Sequence, residues 1–100
     1  MKNETIDDDT KPQYHNLNSK QYSVLIQVFH DPVLPGIFWD DIEKLFIAVG
    51  AEVTEGRGSR VRVSLNGIKA VYHRPHPERT SNKATVKDVR DQLRNAGVVP

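Results

Sequence analysis

The dipeptide Asn66-Gly67 constrains the fold of this chain more than any other feature, because it stands between two segments that alternate apolar and polar residues. Both residues of a type I′ turn need positive φ angles, and Asn-Gly is the pair that reaches them most easily. We therefore predict a β-hairpin of two strands, Ser59–Leu65 and Ile68–His73. The turn fixes the register, since the residues on either side of it must face each other and every pair behind them follows.

In this register the side chains of the hairpin separate into two faces. One face is apolar and is predicted to lie against the core: Val61, Val63, Leu65, Ile68, Ala70 and Tyr72. The other, which we call the open face, is mostly polar and is left to water or to a ligand: Arg60, Arg62, Ser64, Lys69, Val71 and His73. The register also predicts that Arg60 and His73 are directly opposite each other, about 5 Å apart between their β-carbons.

The charge of the chain is unevenly distributed, although its net value is only +1. Residues 1–50 hold four Lys or Arg and eight Asp or Glu, whereas residues 51–100 hold ten and five. The segment from Gly56 to Lys87 contains one acid, Glu78, and eight bases. The bases are Arg57, Arg60, Arg62, Lys69, Arg74, Arg79, Lys83 and Lys87. Clustered positive charge of this kind favours a nucleic acid as the partner, with these side chains on its phosphates, although a solvated sheet face would have the same composition.

Composition also argues against several classes of protein. The chain has no cysteine, so neither a disulfide framework nor a thiolate metal site is expected. No apolar run approaches the about 20 residues that cross a bilayer, and the N-terminus lacks the apolar centre of a signal peptide. We therefore expect a cytoplasmic protein without a membrane partner. Residues 1–17 are predicted to be a disordered acidic leader.

Apolar residues at helical spacing predict three helices in the rest of the chain. Their predicted buried residues are Tyr22, Leu25, Ile26 and Phe29 in the first, Ile42, Leu45, Phe46 and Val49 in the second, and Val86, Val89, Leu93 and Ala96 in the third. The first follows a cap at Asn18 or Ser19, and the second ends at Gly50. For the third we expect a cap at Asn82 or a capping box of Thr85 with Asp88.

A short strand, Glu52–Glu55, is predicted before the hairpin, so the order of elements is helix, helix, three strands, helix. Helices packed on one face of a small antiparallel sheet make an α+β domain. We predict that residues 39–100 form this domain. Residues 18–38 are predicted to add an N-terminal helix and a proline-containing connection.

This arrangement resembles the HicA toxins of bacterial toxin–antitoxin systems. The resemblance extends from about Trp39 to Val99. It rests on the Gly50 turn, Gly58-Ser59 before a basic strand, Asn66-Gly67, Arg74-Pro75-His76-Pro77 and the helix end Asn95-Ala96-Gly97. The resemblance implies a double-stranded-RNA-binding-domain-like fold with an α-β-β-β-α core. It also implies an mRNA interferase activity that cleaves RNA, and neutralisation by a HicB-type antitoxin.

The chain departs from the family pattern at residue 60. The family has Gly-Ser-His, with its characteristic histidine, where this chain has Gly58-Ser59-Arg60. An arginine keeps its proton at neutral pH and cannot act as a general base, whereas a histidine can. We therefore predict that Arg60 stabilises the reacting phosphate and that His73, opposite it, is the replacement base. His76, which matches the histidine of the family's Pro-x-His stretch, is the second candidate for acid–base work.

A non-catalytic alternative stays open at this point. If Arg60 is only a phosphate anchor, the chain is an RNA-binding or antitoxin-binding module that has lost the family histidine. A zinc site at His73 and His76 is not expected, because a proline stands between them and no cysteine is near. We predict no metal and no cofactor.

Overall fold

The computed structural model describes residues 17–100, so the predicted leader lies outside the described residues except for Leu17. The elements are α1 Ser19–Val28, β1 Ile37–Phe38, α2 Trp39–Ala48, β2 Glu52–Glu55, β3 Arg60–Leu65, β4 Ile68–His73, β5 Thr80–Ser81 and α3 Lys83–Asn95. Strands β2, β3 and β4 form an antiparallel sheet, and β1 pairs with β5. The architecture is α+β, as predicted, and is compatible with a double-stranded-RNA-binding-domain-like α-β-β-β-α arrangement.

The hairpin β3–β4 has the predicted register at every pair, from Leu65 opposite Ile68 to Arg60 opposite His73. Asn66 and Gly67 have φ angles of 51° and 82°, as a type I′ turn requires. The Asn66 side chain also donates a hydrogen bond of 2.8 Å to the carbonyl of Ala96, just after α3. The turn is therefore held by its own geometry and by contact with the last helix.

The apolar face of the hairpin packs against α3 and is called the covered face below. Its Val61, Val63, Leu65 and Tyr72 are buried, and its Ile68 and Ala70 are partly buried. From α3, the predicted Val86, Val89, Leu93 and Ala96 complete this layer. Burial of this apolar surface supplies the main stabilisation of the domain.

A buried glutamine on α3 joins the two layers and was not anticipated from the sequence. The Gln92 side-chain nitrogen donates to the carbonyls of Val63 and Ile68 at 2.9 and 3.0 Å, and its oxygen accepts from the Tyr72 hydroxyl at 2.7 Å. Burial, with the carboxylate of Asp88 nearby, raises the pKa of Tyr72, so the hydroxyl stays a donor at neutral pH. The polar groups of the Gln92 side chain are therefore all hydrogen-bonded, as is usual for buried polar groups.

Helices α2 and α3 have the predicted caps and buried residues. All four predicted residues of α2 are buried, and Gly50, which follows the helix, has φ 99°. Asn82 caps α3, because its side-chain oxygen accepts from the Thr85 amide at 2.8 Å. The alternative box of Thr85 with Asp88 is therefore not the cap of this helix.

The predicted buried face of α1 is confirmed at Leu25, and Phe29 packs partly buried against the core, but the other two predicted residues are wrong. Val24, Leu25 and Val28 are buried, whereas Tyr22 and Ile26 are 42 % and 44 % exposed. The segment contains two overlapping apolar stripes that share Leu25, and helical period alone does not separate them. Packing of α1 against α2 and α3 selects the stripe with the two valines, and Asn18 caps the helix.

Two short strands that the sequence did not reveal tie the N-terminal segment to the rest of the chain. Ile37 pairs with Ser81 and Phe38 with Thr80. Two residues are too few to show a strand period. Since the buried residues of α1 belong to the same core cluster as those of α2, α3 and the sheet, residues 18–38 and residues 39–100 share one core. Within residues 17–100, no helix is long and apolar enough to cross a bilayer.

Candidate nucleic-acid interface

The open face lies on the side of the sheet away from α3. Arg60, Arg62, Lys69 and His73 are exposed there, and Val71 is 57 % exposed. Strand β2 extends the same side with its Glu52 and Thr54, which are paired with Ser64 and Arg62. A shallow groove of about 640 Å³ crosses this surface between β2 and β4. The face is therefore open, basic and continuous over three strands.

Arg60 and His73 form a cross-strand pair at the end of the hairpin ladder. The Arg60 carbonyl accepts from the Gly56 amide at 2.9 Å, and the Arg74 amide donates to the Ser59 carbonyl at 2.9 Å. These bonds hold the backbone on both sides of the pair. The prediction that the two residues are opposite each other is confirmed.

Arg74, one of the eight predicted phosphate-binding bases, is held by two carboxylates. Its guanidinium donates to both oxygens of Glu43 at 2.6 and 3.2 Å and to both oxygens of Glu55 at 2.7 and 2.8 Å. These hydrogen bonds, first that with Glu55, raise the pKa of Arg74, and the same contact lowers the pKa of Glu55. Arg74 thus joins β4 to β2 and α2, and its charge is balanced inside the protein.

Lys87 is also paired, with Asp91 one turn later on α3 at 3.1 Å. The other six predicted bases form no ion pair with any residue of the described chain: Arg57, Arg60, Arg62, Lys69, Arg79 and Lys83. Arg57 lies in the turn before β3, Arg79 precedes β5, and Lys83 begins α3. These six charges are available to an anionic ligand.

A cleft of about 740 Å³ lies beside His73, between the proline-containing connection and the start of α3; we call it the connection cleft. His73 and His76 both line it, together with Pro75, Glu78 and Thr85. Arg60 is not part of its lining. The structure therefore brings His73 together with Arg60 on one side and with His76 on the other.

Trp39 does not contribute to the candidate site, and the acidic side chains of residues 17–100 do not add a metal site to it. The Trp39 indole is buried, its nitrogen donates to the Glu43 carboxylate, and its ring centre is 5.3 Å from that of Tyr72. It is a packing residue that also steadies the partner of Arg74. Among residues 17–100, no group of three or more His, Asp or Glu side chains is arranged to hold a metal ion.

The surroundings of the Arg60–His73 pair match a known family. The model of one family, described as the HicA toxin of bacterial toxin-antitoxin, matches residues 39–98. No curated protein and no solved structure matches the chain. The family match contains α2, the three-stranded sheet, the connection cleft's two histidines and α3, and it leaves out α1 and β1. Because it spans more than half of the 100 residues, the chain belongs to the HicA toxin family of bacterial toxin–antitoxin systems.

Proposed function

We propose that this protein is an endoribonuclease that cleaves mRNA and is neutralised by a HicB-type antitoxin. Family membership supports a role as the toxin of a toxin–antitoxin system. The observation that carries the proposal of cleavage is the Arg60–His73 pair on the open face, with His76 lining the connection cleft beside His73. An mRNA substrate places the action of the protein in the cytoplasm.

RNA binding is assigned to the six bases that have no ion pair in the described part of the chain. Arg60, Arg62 and Lys69 hold phosphates on the open face, while Arg57, Arg79 and Lys83 extend the contact beyond it. Contacts of this kind attract a polyanion without reading its sequence. Arg74 is left out of this set, because its donors already serve Glu43 and Glu55.

The chemistry assigned to the site is acid–base cleavage within the RNA strand. His73 takes the proton of a ribose 2′-hydroxyl, whose oxygen forms a bond to the adjacent phosphorus. The bond from phosphorus to the 5′ oxygen of the next nucleotide breaks, and His76 donates a proton to that oxygen. Arg60 contacts the non-bridging phosphate oxygens with its planar fork and stabilises the charge that develops on them. The products are a 2′,3′-cyclic phosphate and a 5′-hydroxyl.

A second candidate function is favoured by one observation, the arginine that stands where the family has its histidine. In this alternative Arg60 is an anchor for phosphate, and the chain binds RNA or the antitoxin without cleaving RNA. The fold and the basic open face would serve both functions equally.

Expression of the full chain from a tightly controlled promoter separates the two candidates. The wild type should arrest growth and degrade bulk mRNA, and His73→Ala should lower cleavage by about 10²–10⁴-fold while leaving RNA binding intact. His30→Ala is the matched control, because it also removes a histidine ring but lies outside the site. The His30 ring is hydrogen-bonded to the Pro32 carbonyl at 2.9 Å. Coexpression of a HicB-type antitoxin should restore growth.

Arg60 provides the deciding pair of variants. Arg60→Lys should be poorly active because an ammonium group lacks the bidentate fork, whereas Arg60→His should keep or raise cleavage. A wild type that leaves growth and mRNA intact, beside an Arg60→His variant that cleaves, would establish the binding module. Cleavage that survives loss of both His73 and His76 would remove the histidines from the mechanism.

A further inference from the structure

The connection cleft is closed on one side by residues that the family match does not include. Pro35 and Gly36 precede β1 and line the cleft together with His73 and His76. The Gly36 amide donates to the Ser81 carbonyl at 3.0 Å, and the adjoining β1–β5 ladder continues the attachment. The N-terminal segment is therefore a fixed wall of the candidate site.

The charges of the cleft do not suit a phosphate. Arg74 is its only Lys or Arg among the described residues, and that guanidinium is bonded to Glu43 and Glu55. Glu78 adds a carboxylate to the lining. The unpaired bases Arg60, Arg62 and Lys69 lie outside the cleft, on the open face. A phosphate is better placed on that face than in the cleft.

The lining suits a flat ring that carries hydrogen-bonding groups. Pro35 and Pro75 supply rigid apolar surface, and Gly36 has no side chain to obstruct the space. The Ser81 hydroxyl is buried and has no hydrogen-bond partner in the described part of the chain. The volume of about 740 Å³ falls within the range of about 300–1,000 Å³ that is usual for sites of small ligands.

We propose that the connection cleft binds the nucleobase next to the scissile phosphate, and that Pro35, Gly36 and Glu78 determine which base it takes. The assignment of the phosphate rests on the proposed function, since His73 contributes both to the Arg60 pair and to the cleft lining. A carboxylate accepts a hydrogen bond from an exocyclic amino group, which cytosine, adenine and guanine carry and uracil lacks. Uracil offers the carboxylate only its ring N3–H, which lies between two carbonyl oxygens that repel the carboxylate. The proposed preference of the cleft is therefore for an amino-bearing base over uracil.

The first test needs no cleavage. The wild-type protein is titrated with the 5′-monophosphates of cytidine, adenosine and uridine, and with ribose 5-phosphate as the control without a base, while its amide resonances are followed by NMR. The cytidine and adenosine nucleotides should shift the amides of Gly36, Glu78 and Ser81 more strongly than the uridine nucleotide does. Equal shifts there with ribose 5-phosphate, or shifts confined to Arg62 and Val71, would overturn the proposal.

The second test reads the cleavage sequence on a random RNA library. Glu78→Gln should raise cleavage next to uridine about tenfold relative to the other bases, because a side-chain amide can donate as well as accept. Pro35→Ala should also relax the preference, and Asp31→Asn, a matched charge control in the loop after α1, should leave it unchanged. Unchanged preference in both cleft variants would sink the proposal. If the protein cleaves no RNA, the proposed function fails. The mononucleotide titration still shows whether the connection cleft binds a nucleobase.

Discussion

The two faces of the β3–β4 hairpin come from the same twelve residues and do different work. On the covered face, Leu65 is 1 % exposed and packs in the core, whereas Val71 on the open face is 57 % exposed. Arg62 and Lys69 on the open face form no ion pair within residues 17–100. Alternation therefore divides this hairpin into a side that stabilises the domain and a side that is free to bind.

Arg74 is a basic residue that does not fit this division between a stabilising face and a binding face. It stands one residue beyond β4, in the basic segment, yet its side chain serves the fold through Glu43 and Glu55. Basic composition thus overstates the charge that a ligand can use, because part of it is already neutralised by acids from other elements.

The largest expected effect on stability comes from comparing a substitution on the covered face with one on the open face. We expect Leu65→Ala to lower the free energy of unfolding by about 3 kcal/mol, since it removes buried apolar surface and leaves a cavity. Val71→Ala, the matched change on the open face, should alter it by no more than about 0.5 kcal/mol. Urea denaturation of both variants measures the difference. Similar losses in the two would show that the open face is covered in solution.

Arg74 should behave like a residue of the covered face. Arg74→Gln is expected to lower the free energy of unfolding by about 2 kcal/mol, because its charged hydrogen bonds are lost. Within residues 17–100, the Glu43 carboxylate then keeps only its hydrogen bond from Trp39. Arg62→Gln, its counterpart on the open face, should change stability by less than about 0.5 kcal/mol. If Arg74→Gln is as stable as the wild type but binds RNA more weakly, Arg74 is a phosphate contact after all.

RNA affinity should depend on the open face, whereas stability depends on the covered face and on Arg74. Changing Arg60, Arg62 and Lys69 together to Ala is expected to reduce the log–log dependence of affinity on salt by about 2, at about 0.7 per lost contact to a single strand. The measurement uses a 2′-O-methyl RNA, which lacks the attacking hydroxyl. Arg94→Ala on α3 serves as the control and should leave the slope unchanged. A slope that survives the triple change would place the RNA on another surface.

The smallest effect concerns acid stability at Glu55. Its folded-state pKa is lowered by Arg74, so the unfolded chain binds the proton more readily. The stabilisation is complete above the ordinary carboxyl pKa of 4.5 and is lost as the pH falls through the lower folded value. In thermal melts, the wild type should have a higher melting temperature than Glu55→Gln at pH 6. The difference between the two melting temperatures should shrink towards pH 3. A gap that stays constant over this range would mean that the pair with Arg74 is not formed in solution.

The sequence by itself determined the hairpin, its register and the opposition of Arg60 and His73. An Asn-Gly turn and a period of two are local properties, and both operate within about fifteen residues. The buried residues of α2 and α3 followed from the helical period in the same way.

The tertiary structure alone decided which stripe of α1 is buried, where β1 and β5 pair, and what Gln92 bonds. It also took Arg74 out of the set of available charges, since Glu43 and Glu55 are 31 and 19 residues away from it along the chain. The connection cleft has the same origin, because Gly36 and His76 meet only through the packing of distant segments. Local patterns specify which face a residue takes, but the neutralisation of a charge and the closing of a cleft depend on partners that only the folded chain brings together.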